Sequence, residues 1–380
     1  MKQTARIIST YSADVFGVCS ALFELGGMVI MHDASGCNST YTTHDEPRWY
    51  DMESMVYISG LSEMEAIMGD DEKLIGDIVD AAEALHPRFI AVAGTPIPTM
   101  TGFDFTAVAE LIEQRTGIPA FGFSTTGMNS YVHGADMALE AIARRFVDKD
   151  AKKTAFPSAN ILGLTPLDFT VNGADDAIAR FLEDSGFSVI SRWAMGSSLE
   201  EMSQAGSAHV NLVVSASGIG AAKALQELFG TPYVVGIPMG EEFSALLQTA
   251  LQTAAATGEN RFPFSSLSGD DVIIIGEGIF SKSLACALEL HTGRSATVIC
   301  PTECQADLLR SKDRLLRSEE DIEAVLAKGR MVIADPLFRP ICPEGVRFAA
   351  LPAESFSGRI YRQEIPNLIS DFENFAKEVL

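Results

Sequence analysis

A chain of 380 residues that is 47% hydrophobic carries apolar material for two or three cores, which excludes a disordered protein. A formal net charge of −23 excludes recognition led by phosphates, so neither nucleic acid nor an anionic lipid surface is an expected partner. The scattered cysteines, Cys19, Cys37, Cys286, Cys300, Cys304 and Cys342, read as reduced thiols of a cytoplasmic protein.

Met1–Arg6 leads into Ile7-Ile8 without a long apolar stretch, so no signal peptide is expected. No run of about 18 apolar residues predicts a membrane span. Ile7–Thr10 is a candidate short strand. Ala13–Leu25 carries apolar residues at helical spacing (Val15, Val18, Cys19, Leu22) and stops at Gly26-Gly27. Met28–Met31 is a strand-length apolar run ending in the turn His32-Asp-Ala-Ser-Gly-Cys37. Tyr41–Tyr50, with His44, Arg48 and Trp49, reads as a loop over a site. A helix over Lys73–Leu85, a strand over Phe89–Ala93 and a loop over Gly94–Gly102 follow. Next come a helix over Phe105–Thr116, a strand over Ile118–Gly122 and a helix over Tyr131–Phe146. This alternation of strand and helix predicts a parallel sheet with crossover helices.

Charged Asp148–Pro157 reads as a linker. A second alternation has strands over Ala159–Gly163, Ser188–Ile190, Asn211–Ser215 and Tyr233–Gly236, and helices over Asp175–Ser185 and Ala221–Phe229. After a linker over Asn260–Gly269, a third has strands over Asp271–Ile275, Ala296–Cys300 and Met331–Ala334, and helices over Ser283–His291 and Ile322–Ala327. A helix over Ile369–Val379 closes the chain. The expected fold is α/β. Three Rossmann-like domains with parallel sheets span residues 1–150, 151–266 and 267–350, with a C-terminal extension over 351–380.

In open α/β sheets ligands gather outside the carboxyl ends of the strands, where the turn after Met28–Met31 presents Cys37 beside Gly36. By itself a loop cysteine reads as a small side chain. An iron–sulfur cluster takes four thiolates, so Cys37 becomes a ligand only if a partner chain or a second copy supplies the others. His32 reads as a donor to a cluster sulfur or a substrate carboxylate, or as a satisfied strand-end histidine. His44, Arg48 and Trp49 read as pocket lining or as a solvated loop, with Arg beside Trp favouring a planar or anionic partner. Gly276-Glu-Gly-Ile-Phe-Ser281 follows a strand and opens a helix, as dinucleotide turns do, but no acid ends the next strand. Ser217-Gly-Ile-Gly220 sits at another strand-to-helix turn, in principle an anion site. Cys300-Pro-Thr-Glu-Cys304 has neither a C-x-x-C nor a zinc spacing. Cys19 and Cys286 read as small apolar packing groups.

These segments together resemble the nitrogenase component 1 family. His32-Asp-Ala-Ser-Gly-Cys37 resembles its H-G-x-x-G-C segment, and Gly17, Leu22 and Leu25 resemble the approach to it. Gly69-Asp-Asp-Glu-Lys-Leu74 with Ile78 resembles G-G-x-x-K-L…I. Pro87-Arg-Phe-Ile-Ala-Val92, Gly94-Thr95, Gly102-Phe-Asp104 and Ile118-Pro119 with Gly122-Phe123 resemble the strands and loops that follow. Asn160-Ile-Leu-Gly163, Asn211-Leu-Val-Val214, Phe229-Gly-Thr-Pro-Tyr233 and Pro238-Met-Gly240 extend the resemblance into the second alternation. It implies paired subunits, an iron–sulfur cluster at their interface and an ATP-hydrolysing iron protein as electron donor. The departures are specific. The family's first and third interface cysteines fall near Tyr11-Ser12 and at Pro96, and its active-site cofactor cysteine falls at Ser215.

A single surviving cysteine is similar to the ligand-poor subunit of dark-operative protochlorophyllide reductase, which gives one cluster ligand from this turn. The resemblance therefore implies a [4Fe–4S] cluster shared at an interface, with Cys37 as its ligand and Gly36 allowing close approach. It implies supporting roles for His32 and Asn38, and places His44, Arg48 and Trp49 toward substrate or partner. Ser215 and Gly218 would line the cleft between units. The expected function is a nitrogenase-like, ATP-dependent, low-potential reduction of an unidentified substrate. The partner is a sister component 1 subunit or a second copy. The alternatives are a non-catalytic scaffold or carrier for metallocofactor assembly, and a Rossmann-type small-molecule binder without iron.

Overall fold

The computed structural model describes residues 6–7, 12–34, 36, 38, 41 and 45–379. Residues 8–10 of the expected first strand, Cys37 and His44 lie outside them. The strands form three open sheets in which every described ladder is parallel.

The first sheet has the order β2-β1-β3-β4, with β1 at Met28–His32, β2 at Met55–Ile58, β3 at Ile90–Gly94 and β4 at Ala120–Phe123. Every residue of β1 and β3 is buried, the mark of strands covered by helices on both faces. Those helices are α1 (Asp14–Leu22), α3 (Asp71–Leu85), α5 (Phe105–Thr116) and α6 (Tyr131–Phe146). Two shorter ones are α2 (Glu63–Met68) and α4 (Pro96–Thr101). The sequence reading of Gly94–Gly102 as a loop is corrected by α4. Pro96 stands at its first position, where a missing N–H costs nothing, and Gly102 closes it at φ 80°.

The second sheet has the order β6-β5-β7-β8, with β5 at Ser158–Leu162, β6 at Ser188–Arg192, β7 at Val210–Val213 and β8 at Tyr233–Val235. Around it lie α7 (Pro166–Phe169), α8 (Ala174–Asp184), α9 (Leu199–Ser203), α10 (Ile219–Phe229) and α11 (Glu241–Thr257). The third sheet has the order β11-β10-β9-β12-β13. Its strands are β9 at Val272–Ile275, β10 at Ala296–Cys300, β11 at Arg314–Leu315, β12 at Met331–Ala334 and β13 at Arg347–Ala350. Its helices are α12 (Gly278–Thr292), α13 (Glu319–Leu326), α14 (Glu354–Ser357) and α15 (Leu368–Val379).

A single apolar cluster runs through all three units, from Val18 and Tyr131 through Trp193 and Leu247 to Leu284 and Phe372. The helix α6 packs on both α1 and α10, and α15 returns the chain end to α8. In each sheet the winding direction reverses beside the first strand: between β1 and β3, β5 and β7, and β9 and β12. Such switch points are where open α/β sheets hold ligands, at the carboxyl ends of the strands. The first carries the Cys37 turn. The other two border one cavity.

Candidate functional site

At the first switch point the residues on either side of the turn are cross-braced. The Asp33 carboxylate accepts hydrogen bonds from Asn38 Nδ2 at 2.6 Å and from Thr95 Oγ1 at 3.1 Å. Thr95 also donates to the His32 carbonyl at 2.9 Å. Ser59, past the end of β2, lies 2.9 Å from His32 Nδ1 and accepts from the Asp33 N–H at 3.1 Å. The His32 ring lies 4.5 Å from that of Phe103, and burial holds its pKa down at about 4. It is therefore a neutral ring at pH 7. Asn38 bonds to Asp33 and His32 to Ser59, two residues the sequence reading passed over. A Cβ on Gly36 would meet no described atom within 4 Å.

Apolar side chains lie exposed on the elements that follow the same strand ends. Met64, Ile67 and Met68 on α2 are each at least 70% exposed, Met100 on α4 is 86% exposed and Met128, past β4, is 81% exposed. The helix α2 has no buried residue and packs against α4. The Met128 loop reaches the same helix, with Gly127 against Pro96. Exposed apolar surface of this kind marks an interaction site.

Arg48 and Trp49 lie elsewhere. Arg48 is only 3% exposed and turned inward. Its guanidinium pairs with Glu46 at 2.6 Å and Glu24 at 2.7 Å, and donates to the carbonyls of Ser20 at 2.8 Å and Ala194 at 2.7 Å. Glu46 in turn accepts from Tyr41 at 3.0 Å and Ser20 at 3.1 Å. An arginine satisfied this fully has no donor left for a substrate, which corrects the expectation that it faces one. It ties the first unit to the second. Trp49 packs on Phe23 and lines a surface groove with Gly26, Met55 and Leu85. These residues sit at the amino ends of β1, β2 and β3, opposite the Cys37 turn.

The second and third switch points close on each other around buried carboxylates. Asp168, on α7, accepts from the Tyr131 hydroxyl and from Thr165 Oγ1, and is hydrogen-bonded to Ser215. Glu277 accepts from the N–H groups of Ala216 at 2.9 Å and Phe280 at 2.7 Å. Burial raises both carboxyls above their usual range, and Glu277 adds to the rise at Asp168. With Asp335 past β12, they line a cavity of about 40 Å³ walled by Phe169, Phe280 and Phe356. Ligand pockets run to about 300 Å³ or more, so this one is closed. Ser215 is one hydrogen bond from the cavity, on Asp168. Gly218 does not line it: its Cα presses on β5, where a Cβ would stand 2.6 Å from the Leu162 carbonyl carbon.

Both anion sites suggested by glycine-rich turns are filled by the chain's own acids. Glu277 caps α12, the place a phosphate would take in the Gly276–Ser281 turn. Asp136, pushed up to about 7 by burial, accepts from the Gly220 N–H at 2.5 Å. Glu277 is the middle residue of a turn noted for its glycines, and Asp168 follows a Thr-Pro helix start. Only the latter is a signal sequence reading can use.

Among the described residues no group of three or more His, Cys, Asp or Glu is arranged to hold a metal ion, and no helix is long and apolar enough to cross a membrane. Known proteins place the chain clearly. One chain of the light-independent protochlorophyllide reductase of Nostoc punctiforme is 27% identical over 244 residues, 60% of this chain and 47% of that one. The nitrogenase iron-molybdenum cofactor biosynthesis protein NifE of Clostridium pasteurianum is 28% identical over 180 residues, 47% of this chain and 38% of its own. The chain thus matches half or less of the length of these relatives. A solved structure of nitrogenase Cp1 at pH 6.5 superposes with a TM-score of 0.69, covering 100% of this chain and 94% of that one at 16% identity. Residues 14–334 match the family model described as nitrogenase component 1 type oxidoreductase, and the chain belongs to that family.

Proposed function

We propose that this chain is the ligand-poor subunit of a component 1-type oxidoreductase that carries out ATP-dependent, low-potential reduction. The observation that carries the reading is the set of exposed methionines on the elements that follow the strand ends flanking the braced turn at the first switch point. A cysteine in such a turn, within an apolar rim, fits a ligand to a [4Fe–4S] cluster completed from across an interface. Thr95 and Pro96 offer no thiol on the other side of the switch point, so the remaining ligands must come from across the interface, three from a sister subunit, whereas a second copy adds only its own Cys37. Gly36 leaves room for the cluster, and the Asp33–Asn38–Thr95 bonds fix the turn that presents Cys37. The cluster, when bound, supplies one-electron transfer; this chain supplies a rigid ligand turn and the docking rim. An iron protein is the electron donor the family implies. The closed cleft at Asp168 and Glu277 does not admit a tetrapyrrole-sized substrate as it stands. Such a substrate would bind nearer the subunit interface, or after the second and third units part.

A second reading is favoured by one specific observation. NifE is named for cofactor biosynthesis, and 47% of this chain matches it. A scaffold for metallocofactor assembly would use the same turn without turnover.

The test is iron and sulfide content with EPR on anaerobically purified protein, alone and co-expressed with a candidate sister subunit, in wild type and Cys37→Ala. A cluster signal present in the complex and lost or altered in the variant is expected. Iron-free protein in every preparation removes the cluster from both readings. A cluster that forms but accepts no electrons from an iron protein and MgATP leaves the scaffold.

A further inference from the structure

A separate reactive centre lies at the amino end of α12. Cys300 ends β10 and Cys304 sits in the loop after it, and both sulfurs lie against Gly278, the first residue of that 15-residue helix. A Cβ at Gly278 would stand 2.7 Å from Cys304 Sγ and 3.5 Å from Cys300 Sγ, so the helix start is kept bare for the two thiols. Cys300 is fully buried and also meets Thr302 Oγ1 at 3.4 Å, whereas Cys304 is partly exposed. Cys304 lines a cavity of about 170 Å³ where all three units meet, with Val132, His133 and Asp136 of α6 and Ile219 of α10.

One cation serves this pair. Lys282 is 2% exposed, and among the described residues its ammonium makes no hydrogen bond. Its Nζ lies 3.7 Å from the centre of the Phe264 ring. Burial holds it down at about 8, and the Cys304 thiol is the foremost of the groups drawing it up, with Asp313, Cys286 and Glu277 behind. Cys304 itself is pushed far up, first by its hydrogen bond with the Cys300 thiol, then by burial, and further by Glu277, against the pull of Lys282. Of the features of reactive thiols, the pair has a helix amino end and a nearby cation, while only Cys304 is partly exposed, and its raised thiol must give up its proton before it attacks.

We propose that Cys300 and Cys304 are a redox-active dithiol that exchanges with small-molecule disulfides entering through the cavity beside His133. The Cys304 thiolate attacks one sulfur of the small disulfide, forming a mixed disulfide and expelling one thiolate. Cys300 then attacks the Cys304 sulfur and expels the second. Two electrons pass from the protein pair to the small disulfide, and the two protein thiol protons end on the two thiols released. The product is an intramolecular 300–304 disulfide. Its formation draws on the loop where Glu303 accepts from the Ser130 N–H at 3.2 Å and Gln305 accepts from Lys223 at 2.7 Å, so the oxidation state is felt where the third unit touches the other two.

The test uses reduced full-length protein, bis(2-hydroxyethyl) disulfide, acid quench, alkylation and mass spectrometry. Trypsin releases both cysteines in one peptide, Ser295–Arg310. Expected are the loss of two hydrogens from that peptide before Cys342 takes up an adduct, a stable mixed disulfide on Cys304 in Cys300→Ser, and an unmodified Cys300 in Cys304→Ser. Lys282→Met should slow the exchange about tenfold, the effect of one pKa unit on the attacking thiol. A peptide that stays doubly alkylated while Cys342 exchanges, or that oxidises only in denaturant, overturns the proposal. An unchanged rate in Lys282→Met overturns the role of the cation.

Discussion

The turn after β1 and the cleft at Asp168 and Glu277 are built from the same part, a switch point of a parallel sheet, and end in opposite states. Around the turn the polar groups are satisfied locally, but apolar side chains are left to solvent. In the cleft the apolar groups are buried, and two carboxylates share one small, closed space. The first arrangement leaves apolar surface uncovered; the second covers its own. Another molecule is therefore expected at the turn, whereas movement between units is needed before one can enter the cleft.

The strongest way to break this contrast is at the pillar beneath it. Arg48→Ala leaves Glu46 and Glu24 buried without their cation, which costs about 3–5 kcal/mol. Urea unfolding monitored by circular dichroism should show the loss, and a change below about 1 kcal/mol would mean that Arg48 is not the tie between units. Next in size is the rim. Replacing Met64, Met68 and Met100 together by Glu should leave unfolding within about 0.5 kcal/mol per site, since nothing packs on them. Association with the sister subunit or second copy, read by analytical ultracentrifugation, should weaken by at least about 2 kcal/mol. Unchanged association would detach the rim from pairing.

A pH series separates the turn after β1 from the acid-filled turn at Gly220 by sign. Asp136, held up to about 7, keeps a proton in the folded chain that the unfolded chain has released. Stability therefore falls as pH rises from about 4, the ordinary aspartate value, toward that raised value, and Asp136→Asn flattens the fall. His32, held down at about 4, is neutral in the folded chain while the unfolded chain takes a proton. Its contribution is lost as pH drops from about 6.5 toward the lowered value, and His32→Gln removes that loss. Midpoints of urea unfolding between pH 4 and 8 check both. The smallest effect is at the brace. Thr95→Val removes the hydroxyl between Asp33 and the His32 carbonyl for about 1 kcal/mol. It should also broaden the cluster EPR signal in the complex by loosening the turn.

The elements that could be read in the sequence are those whose own residues decide them. Phe105–Thr116, Tyr131–Phe146, Ala296–Cys300 and Met331–Ala334 fall where periodicity and apolar runs put them. Three edge strands escaped, β2, β11 and β13, because an edge is only half buried and Tyr57, Arg314 and Arg347 point to solvent. The 17-residue α11 escaped because Gln, Thr and Ala carry little apolar contrast along it. For the site, the place of the turn was legible from strand, glycine and cysteine. The inward course of Arg48 was not, because one of its acceptors, the Ala194 carbonyl, lies in another sheet's unit and is backbone, which leaves no trace in side-chain identity. The filling of both anion turns was equally hidden: a carboxylate within a glycine motif looks the same whether it caps the helix or faces away.

Arg48 also bears on how the protein is made. Its acceptor at Ala194, and the Gly196 N–H that donates to Glu24 at 2.7 Å, stand some 150 positions later in the chain. During synthesis the amino-terminal unit emerges first, yet one end of its buried charge network stays unmatched until the second unit has left the ribosome. The ribosome-bound intermediate is thus expected to keep the α1 end open and sensitive to protease. A fragment ending at residue 150 should be less stable than its sheet alone suggests.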